Sequence, residues 1–192
     1  MRKFLISILL VFMVTPPLCA NLKTLKVGVL LPLSGPLVNQ GKAQLAAIKM
    51  AQEDINQFFT KINLPQRVAL ITEDSEGNPK KALAQLKSLR KRDVHLVIGP
   101  NTSASVKNCL EYANRARMVL ISPSSTTPLL ANPRDNLIRL SVSDEGQAEA
   151  LSQSCENQGI TQLVCLTRDD IWGQELHKLI KEKFKEKQGL VF

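Results

Sequence analysis

The chain has 192 residues, 44% hydrophobic and 22% charged, with a formal net charge of +8. That length allows one large domain or two small lobes, and that balance favours a globular fold over a disordered chain. The basic excess is densest at residues 80–81, 87–92 and 178–187, alternates in places with Glu and carries almost no interleaved aromatics, so it reads as solvated helix surface rather than a nucleic-acid face.

Arg2 and Lys3 precede an apolar run over residues 4–14, which Thr15, Pro16 and Pro17 break before Leu18, Cys19 and Ala20. This is the layout of a secretory signal peptide over residues 1–20, with cleavage expected after Ala20. The run is shorter than the roughly 20 residues of a membrane-spanning helix. Lipid attachment at Cys19 is the less favoured alternative, because Leu18 stands where a small residue would normally precede the modified cysteine. Export implies an oxidising compartment. Cys109 and Cys155 fall on apolar helix faces and Cys165 in a strand, so buried free thiols are expected, with a Cys155–Cys165 bridge left open. No Cys/His spacing matches a zinc site.

Residues 25–33 (LKVGVLLPL) predict the first strand, and a turn at Ser34, Gly35 and Pro36 follows. A helix is predicted over 42–59, with Leu45, Ile48, Ala51, Ile55 and Phe59 on one face. Residues 67–72 predict the second strand. Asn78 and Pro79 then supply an N-cap and a first-turn proline for a helix to about Lys91, with Leu83, Leu86 and Leu89 inward.

Two similar units follow. The run VHLVI (94–98) ends in GPNTSAS, and MVLI (118–121) ends in SPSSTTP. Each is a short apolar strand that stops in proline and small hydroxyl residues. Between them lies a helix from near Ser103, with Val106, Cys109, Leu110 and Ala113 inward. Residues 129–136 read as irregular and 137–141 as extended. Ser143 and Asp144 cap a helix over 145–157; a strand over 162–166, a loop over 167–173 and a helix over 174–187 come next, the last with Leu176, Leu179, Ile180 and Phe184 inward. Residues 190–192 begin a further strand. Strands alternating with helices predict parallel βαβ units with right-handed crossovers. The hydroxyl-rich loops then lie at the carboxyl ends of neighbouring strands, where open α/β sheets bind ligands.

Nothing in the chain has the pattern of an active site. His95 and His177 have no nearby nucleophile or acid, and neither a Gly-x-Ser-x-Gly elbow nor a phosphate loop occurs. The adjacent pairs Glu73–Asp74 and Asp169–Asp170 read as solvated loop residues rather than metal ligands. No catalytic residue, cofactor or metal is expected.

The succession KVGVLLPLSGP, VIGPNTSAS, VLISPSSTTPLL, IRLSVSDEGQAEAL and LVCLTRDDIWGQEL resembles type I periplasmic binding proteins, in particular the leucine/isoleucine/valine-binding group of ABC-transporter receptors. The resemblance implies an α/β fold: a doubly wound parallel sheet lobe with an incomplete second α/β lobe. The first lobe would span residues 21–136, a crossing segment 137–143 and the second lobe 144–192, the rest of the second lobe and the return to the first being absent from this sequence. It implies a periplasmic, non-enzymatic protein that traps an amino acid or similar small polar solute between two lobes and delivers it to an ABC permease in the inner membrane. The same fold serves as a receptor ectodomain, so a ligand-sensing module is the alternative.

For the site, the resemblance implies ligand contacts from Ser103, Ser124, Thr126, Asp144 and Trp172, with Ser125 the least certain neighbour. Ser103 would bind a carboxylate at a helix N-terminus, although an ordinary N-cap explains it too. Thr126 and the backbone at Ser124 would meet an ammonium and a carboxylate. Asp144 would pair with an ammonium or cap its helix. Trp172 would pack on the ligand or be structural. Gln40 lies where some relatives carry an aromatic facing the ligand's side chain, so side-chain specificity is expected to differ.

Overall fold

β1 (Lys23–Leu31) is the strand on which the others are laid, in a computed structural model that describes residues 23–187 and 190–191. The signal-peptide reading of residues 1–20, Cys19 included, lies outside the described residues. After β1 come α1 (Val38–Lys61), β2 (Gln66–Asp74), α2 (Pro79–Lys91), β3 (Leu96–Ile98), α3 (Ser103–Arg115) and β4 (Val119–Ser122). β5 (Leu137–Arg139), α4 (Asp144–Asn157), β6 (Gln162–Leu163), α5 (Ile171–Lys187) and β7 (Leu190–Val191) complete the order.

The main sheet is five-stranded and parallel, in the order β2-β1-β3-β4-β5, while β6 and β7 pair in a second sheet. The order reverses at β1. Right-handed crossovers therefore put α1 on one face and α2 and α3 on the other. Sheet register sorts the side chains. Gly28, Val97, Leu120 and Leu137 form one row, and Val29, Ile98, Ile121 and Ile138 form the next. The first row meets Leu86 and Leu89 of α2 and Cys109 and Ala113 of α3 in the principal core, all four fully buried. The second row is covered only toward β1. Val29 is fully buried there, whereas Ile138 at the far edge is 50% exposed.

Several boundaries differ from the sequence expectation. α1 begins at Val38, four residues early, because the turn at Pro36 leads straight into the helix and Gly41 lets its first turn close on β1's end: a Cβ at Gly41 would lie 1.9 Å from the Pro32 carbonyl oxygen. Of the face predicted inward on α1, Leu45, Ile48 and Phe59 are half-buried while Ala51 and Ile55 are exposed, since α1 lies over β2 and β1 alone. The faces predicted for α2 and α3 are inward as expected, with Leu86, Leu89, Val106, Cys109 and Ala113 buried. The 162–166 strand shortens to Gln162–Leu163, which leaves Val164 and Leu166 exposed. α5 starts at Ile171, so Trp172 sits in a helix's first turn rather than in a loop.

Ala148, Leu176 and Ile180 make a separate small core between α4 and α5, with Trp172 packed against it. Cys109, Cys155 and Cys165 are all free. Cys165 lies beyond β6 rather than in a strand, half-buried beside Cys155. Burial pushes the Cys109 thiol up to about 12. Burial, then the neighbouring Cys155, raises the Cys165 thiol as well.

Leu120→Ala is expected to cost about 3 kcal/mol and Ile138→Ala less than about 1 kcal/mol, because only the first empties a filled core. Chemical denaturation measures both; equal losses would contradict the one-sided core. A thiol reagent on the folded protein is expected to label Cys165 before Cys109, read by mass spectrometry after timed quenching, because only the first is partly exposed.

Candidate functional site

A cleft of about 220 Å³ opens at the carboxyl ends of β1, β3 and β4. Leu37 and Gln40 come to it from the start of α1, and Asn101, Thr102 and Ser103 from the β3–α3 loop. Ser124 and Thr126 follow β4. Asp144 and Gln147 of α4, with Arg168 and Trp172 from the approach to α5, form the opposite wall. The cleft thus lies where the strand order reverses, the usual ligand position in a doubly wound sheet.

Gly99 sets the β3–α3 loop. It sits at φ +117°, and a Cβ there would lie 2.0 Å from the Leu30 carbonyl oxygen, so the loop is pressed against β1 in a conformation that glycine alone adopts readily. The N-cap of α3 is Thr102, whose side chain accepts the Ser105 N–H at 3.2 Å. Ser103 is therefore the first helical residue and not the cap. Its buried hydroxyl oxygen accepts from the Ser125 hydroxyl at 3.1 Å, which leaves its own proton to donate. Ser125 is fully buried, and its backbone N–H donates to Ser122 Oγ at 3.3 Å. It supports the wall and does not line the cleft.

The Ser124 hydroxyl lies 2.8 Å from Asn101 Oδ1 and 2.9 Å from the Asn101 carbonyl, and Asn101 Nδ2 donates to Gln40 Oε1 at 3.1 Å. This chain joins all three loops of the first wall. Asn101 is the member that sequence reasoning missed; its place two residues after the β3 glycine was the available signal.

Asp144 was expected either to meet a ligand or to cap α4. Of the pair Ser143 and Asp144, Ser143 is the cap, accepting the Glu145 N–H at 3.4 Å. The Asp144 N–H donates to the Thr126 carbonyl at 3.1 Å, which fastens the start of α4 to the loop after β4. Its side chain is 1% exposed. Oδ1 accepts from Trp172 Nε1 at 3.3 Å, and Oδ2 has no partner among the described residues. The same indole N–H lies 3.0 Å from Thr126 Oγ1. All five predicted site residues, Ser103, Ser124, Thr126, Asp144 and Trp172, line this one cleft.

The acidic pairs are not plain solvated loops. Asp74 Oδ1 accepts the backbone N–H of Leu33 and of Glu76, each at 2.8 Å, and Oδ2 accepts the Ser34 hydroxyl at 2.6 Å. It clamps the β1–α1 loop, which ends at Leu37 and leads into the helical turn of Gln40, to the β2–α2 loop. Glu73 pairs with Arg92. Asp170 accepts the Gly173 N–H at 2.9 Å and binds Arg168. Among the described residues no group of three or more His, Cys, Asp or Glu side chains is placed to hold a metal, and no helix is long and apolar enough to cross a membrane.

Together the doubly wound sheet and its switch-point cleft are the architecture of a type I periplasmic binding protein lobe. The chain belongs to the periplasmic binding protein family, whose model matches residues 24–191. It is 30% identical over 167 residues to an uncharacterized protein of Methanocaldococcus jannaschii, an alignment covering 84% of this chain and 40% of that one. It is 29% identical over 115 residues to a leucine-, isoleucine-, valine-, threonine- and alanine-binding protein of Pseudomonas aeruginosa, covering 60% of this chain and 30% of the relative. Glutamate receptor 2.5 of Arabidopsis thaliana is 29% identical over 164 residues, 84% of this chain and 17% of the receptor. A leucine-binding protein of Thermotoga maritima superposes with a TM-score of 0.76 at 23% identity, over 88% of this chain and 48% of that one. The chain spans less than half the length of each of these proteins. These relatives and neighbours include binding proteins and receptors.

Asp74 yields a pH prediction. Burial alone would raise its carboxyl, but the hydrogen bonds from the Ser34 hydroxyl and the backbone N–H groups of Glu76, Leu33 and Ser34 together hold it below the ordinary value. A depressed folded pKa means that its stabilisation is complete above the unfolded value of about 3.9 and is lost as pH falls through the folded one. Asp74→Asn is expected to cost about 2 kcal/mol at neutral pH and to flatten the stability loss below about pH 4. Denaturation midpoints across that range test it; an unchanged acid limb would show that Asp74 is not the clamp.

Proposed function

We propose that the chain binds an amino acid or similar small polar solute in this cleft and, as an exported solute-binding protein, delivers it to an ABC permease of the inner membrane. The observation that carries this reading is Asp144 Oδ2: a carboxylate oxygen on the cleft wall, buried and without a partner among the described residues. A buried carboxyl oxygen without a partner is costly, and a ligand ammonium supplies one. Across the cleft, the Ser103 hydroxyl and the first N–H groups of α3 offer donors and a favourable helix dipole to a carboxylate. Thr126 and Ser124 line the same cleft. A zwitterion with adjacent ammonium and carboxylate fits that polarity. Trp172 covers the ligand from the α5 side.

In this reading residues 21–136 form the first lobe, 137–143 cross over and 144–192 belong to the second. The two separate sheets and the two separate cores support that division. The protein acts by holding its ligand, not by transforming it. A signal peptide over residues 1–20 would deliver it to the periplasm. The Arabidopsis glutamate receptors, similar over 84% or more of this chain in several cases, support a second reading in which the same module senses a ligand for a receptor.

Trp172 is the sole tryptophan, so its fluorescence reports the cleft directly. Titration with a panel of L-amino acids is expected to shift the emission. Asp144→Asn is expected to weaken binding roughly 30-fold, the equivalent of one charge-assisted hydrogen bond. Emission that stays constant for every amino acid, or an affinity untouched by the substitution, would sink the reading.

A further inference from the structure

We infer that Arg168 and Gln40 select the ligand's side chain, and that the cleft takes an amino acid bearing a second carboxylate on a short side chain. This rests on the amino-acid reading above and adds a ligand class to it.

The guanidinium of Arg168 is held in place. Its Cζ lies 5.2 Å from the centre of the Trp172 ring. Asp170 takes its Nε proton at 2.8 Å and also binds Nη2. The other Asp170 oxygen is committed to the Gly173 N–H. Ring and carboxylate together fix the guanidinium plane, and Nη1 is left without a partner among the described residues. Arg168 thus brings a positioned guanidinium with an unspent donor edge to the site; its side chain is 52% exposed and borders both this cleft and the neighbouring one at Thr102 and Asp170.

Gln40 is poised in the same sense. Its Oε1 is occupied by Asn101 Nδ2, and Asn101 Oδ1 in turn has the Ser124 hydroxyl at 2.8 Å. That chain occupies one lone pair of the Gln40 oxygen and leaves its Nε2 protons to donate. Leu37 is the aliphatic side chain among those lining the cleft. An aliphatic ligand side chain would strip water from Arg168 and Gln40 and return no hydrogen bond. An amide would offer the guanidinium one oxygen and no charge. A carboxylate offers two acceptor oxygens and the opposite charge, the match for a planar donor fork.

Isothermal titration calorimetry on the full chain, with L-glutamate, L-aspartate, L-glutamine, L-leucine and L-alanine, tests this. One of the two acidic amino acids is expected to bind at least about tenfold more tightly than L-glutamine or L-leucine. In R168Q the ratio of acidic to amide affinity is expected to fall at least about tenfold, and R168K is expected to restore part of it. Circular dichroism checks that each variant folds; if R168Q does not, the ranking in the unsubstituted chain and R168K decide. L-leucine or L-glutamine binding as tightly as both acidic amino acids would overturn this inference and leave the amino-acid reading standing. Binding of none of them would remove both. An R168Q variant that weakens every ligand in equal proportion would make Arg168 structural and likewise overturn it.

Discussion

One indole N–H couples the two parts of the molecule. Trp172 packs its ring against Ala148, Leu176 and Ile180 of the small core and sends Nε1 to Thr126 and Asp144. A tryptophan inside an apolar cluster must place its single donor somewhere, and here both acceptors belong to the cleft. Thr126 comes from the first sheet's loops and Asp144 from the first turn of α4. The bond therefore fixes how far the α5 wall stands from the hydroxyl wall. It also occupies one Asp144 oxygen, and that is why the other is the one left unpaired.

The hydroxyl wall is stiff for a related reason. Most of its buried polar atoms are spent on one another. Ser122 donates to the Pro100 carbonyl at 2.7 Å, Ser141 to the Ser125 carbonyl at 2.7 Å and Ser125 to Ser103. A buried hydroxyl without a partner costs free energy, so this mutual satisfaction makes such a wall tolerable. What it leaves over, donors from Ser103, the α3 N-terminus and Gln40, sets the site's chemistry together with Arg168 and Asp144 on the opposite wall. Asp74 does the same work lower down, holding the loop before α1 at the height where Gln40 can reach Asn101.

The fold was legible because it follows from local patterns, whereas the candidate site residues were read from the family resemblance. Apolar strands that stop in Gly-Pro or Ser-Pro, with amphipathic helices between them, dictate parallel crossovers, and parallel crossovers put the loops at one edge. The faces of α2 and α3 were legible because a complete partner surface buries them. The face of α1 was misjudged at Ala51 and Ile55, since periodicity marks an apolar stripe without saying how much of it is covered. For Ser103 and Asp144 the sequence leaves two readings open, helix cap or ligand contact; the caps are Thr102 and Ser143, which leaves the Ser103 and Asp144 side chains on the cleft wall. The roles of Asp74 and Asp170 depend on loops far apart in sequence, or on one guanidinium's orientation, and neither is encoded in spacing.

Coverage of the sheet is uneven, and the unevenness bears on the site. Leu96, Ile98, Val119, Ile121 and Ile138 share the face that α1 reaches only at its β2 side, and Leu96 and Ile138 are exposed. The opposite face is filled from Leu30 to Leu120. The β3–α3 loop of the first wall is anchored on that filled side: α3 begins at Ser103 and packs through Val106 and Cys109, while Gly99 presses on Leu30. α4 joins this wall through the Asp144 N–H on the Thr126 carbonyl, and α5 through Trp172. The geometry of the cleft thus depends on the complete core and on two short hydrogen-bonded bridges. The sparsely covered face is packed by α1, which brings Leu37 and Gln40, so a loss of stability there reaches the cleft through those two residues.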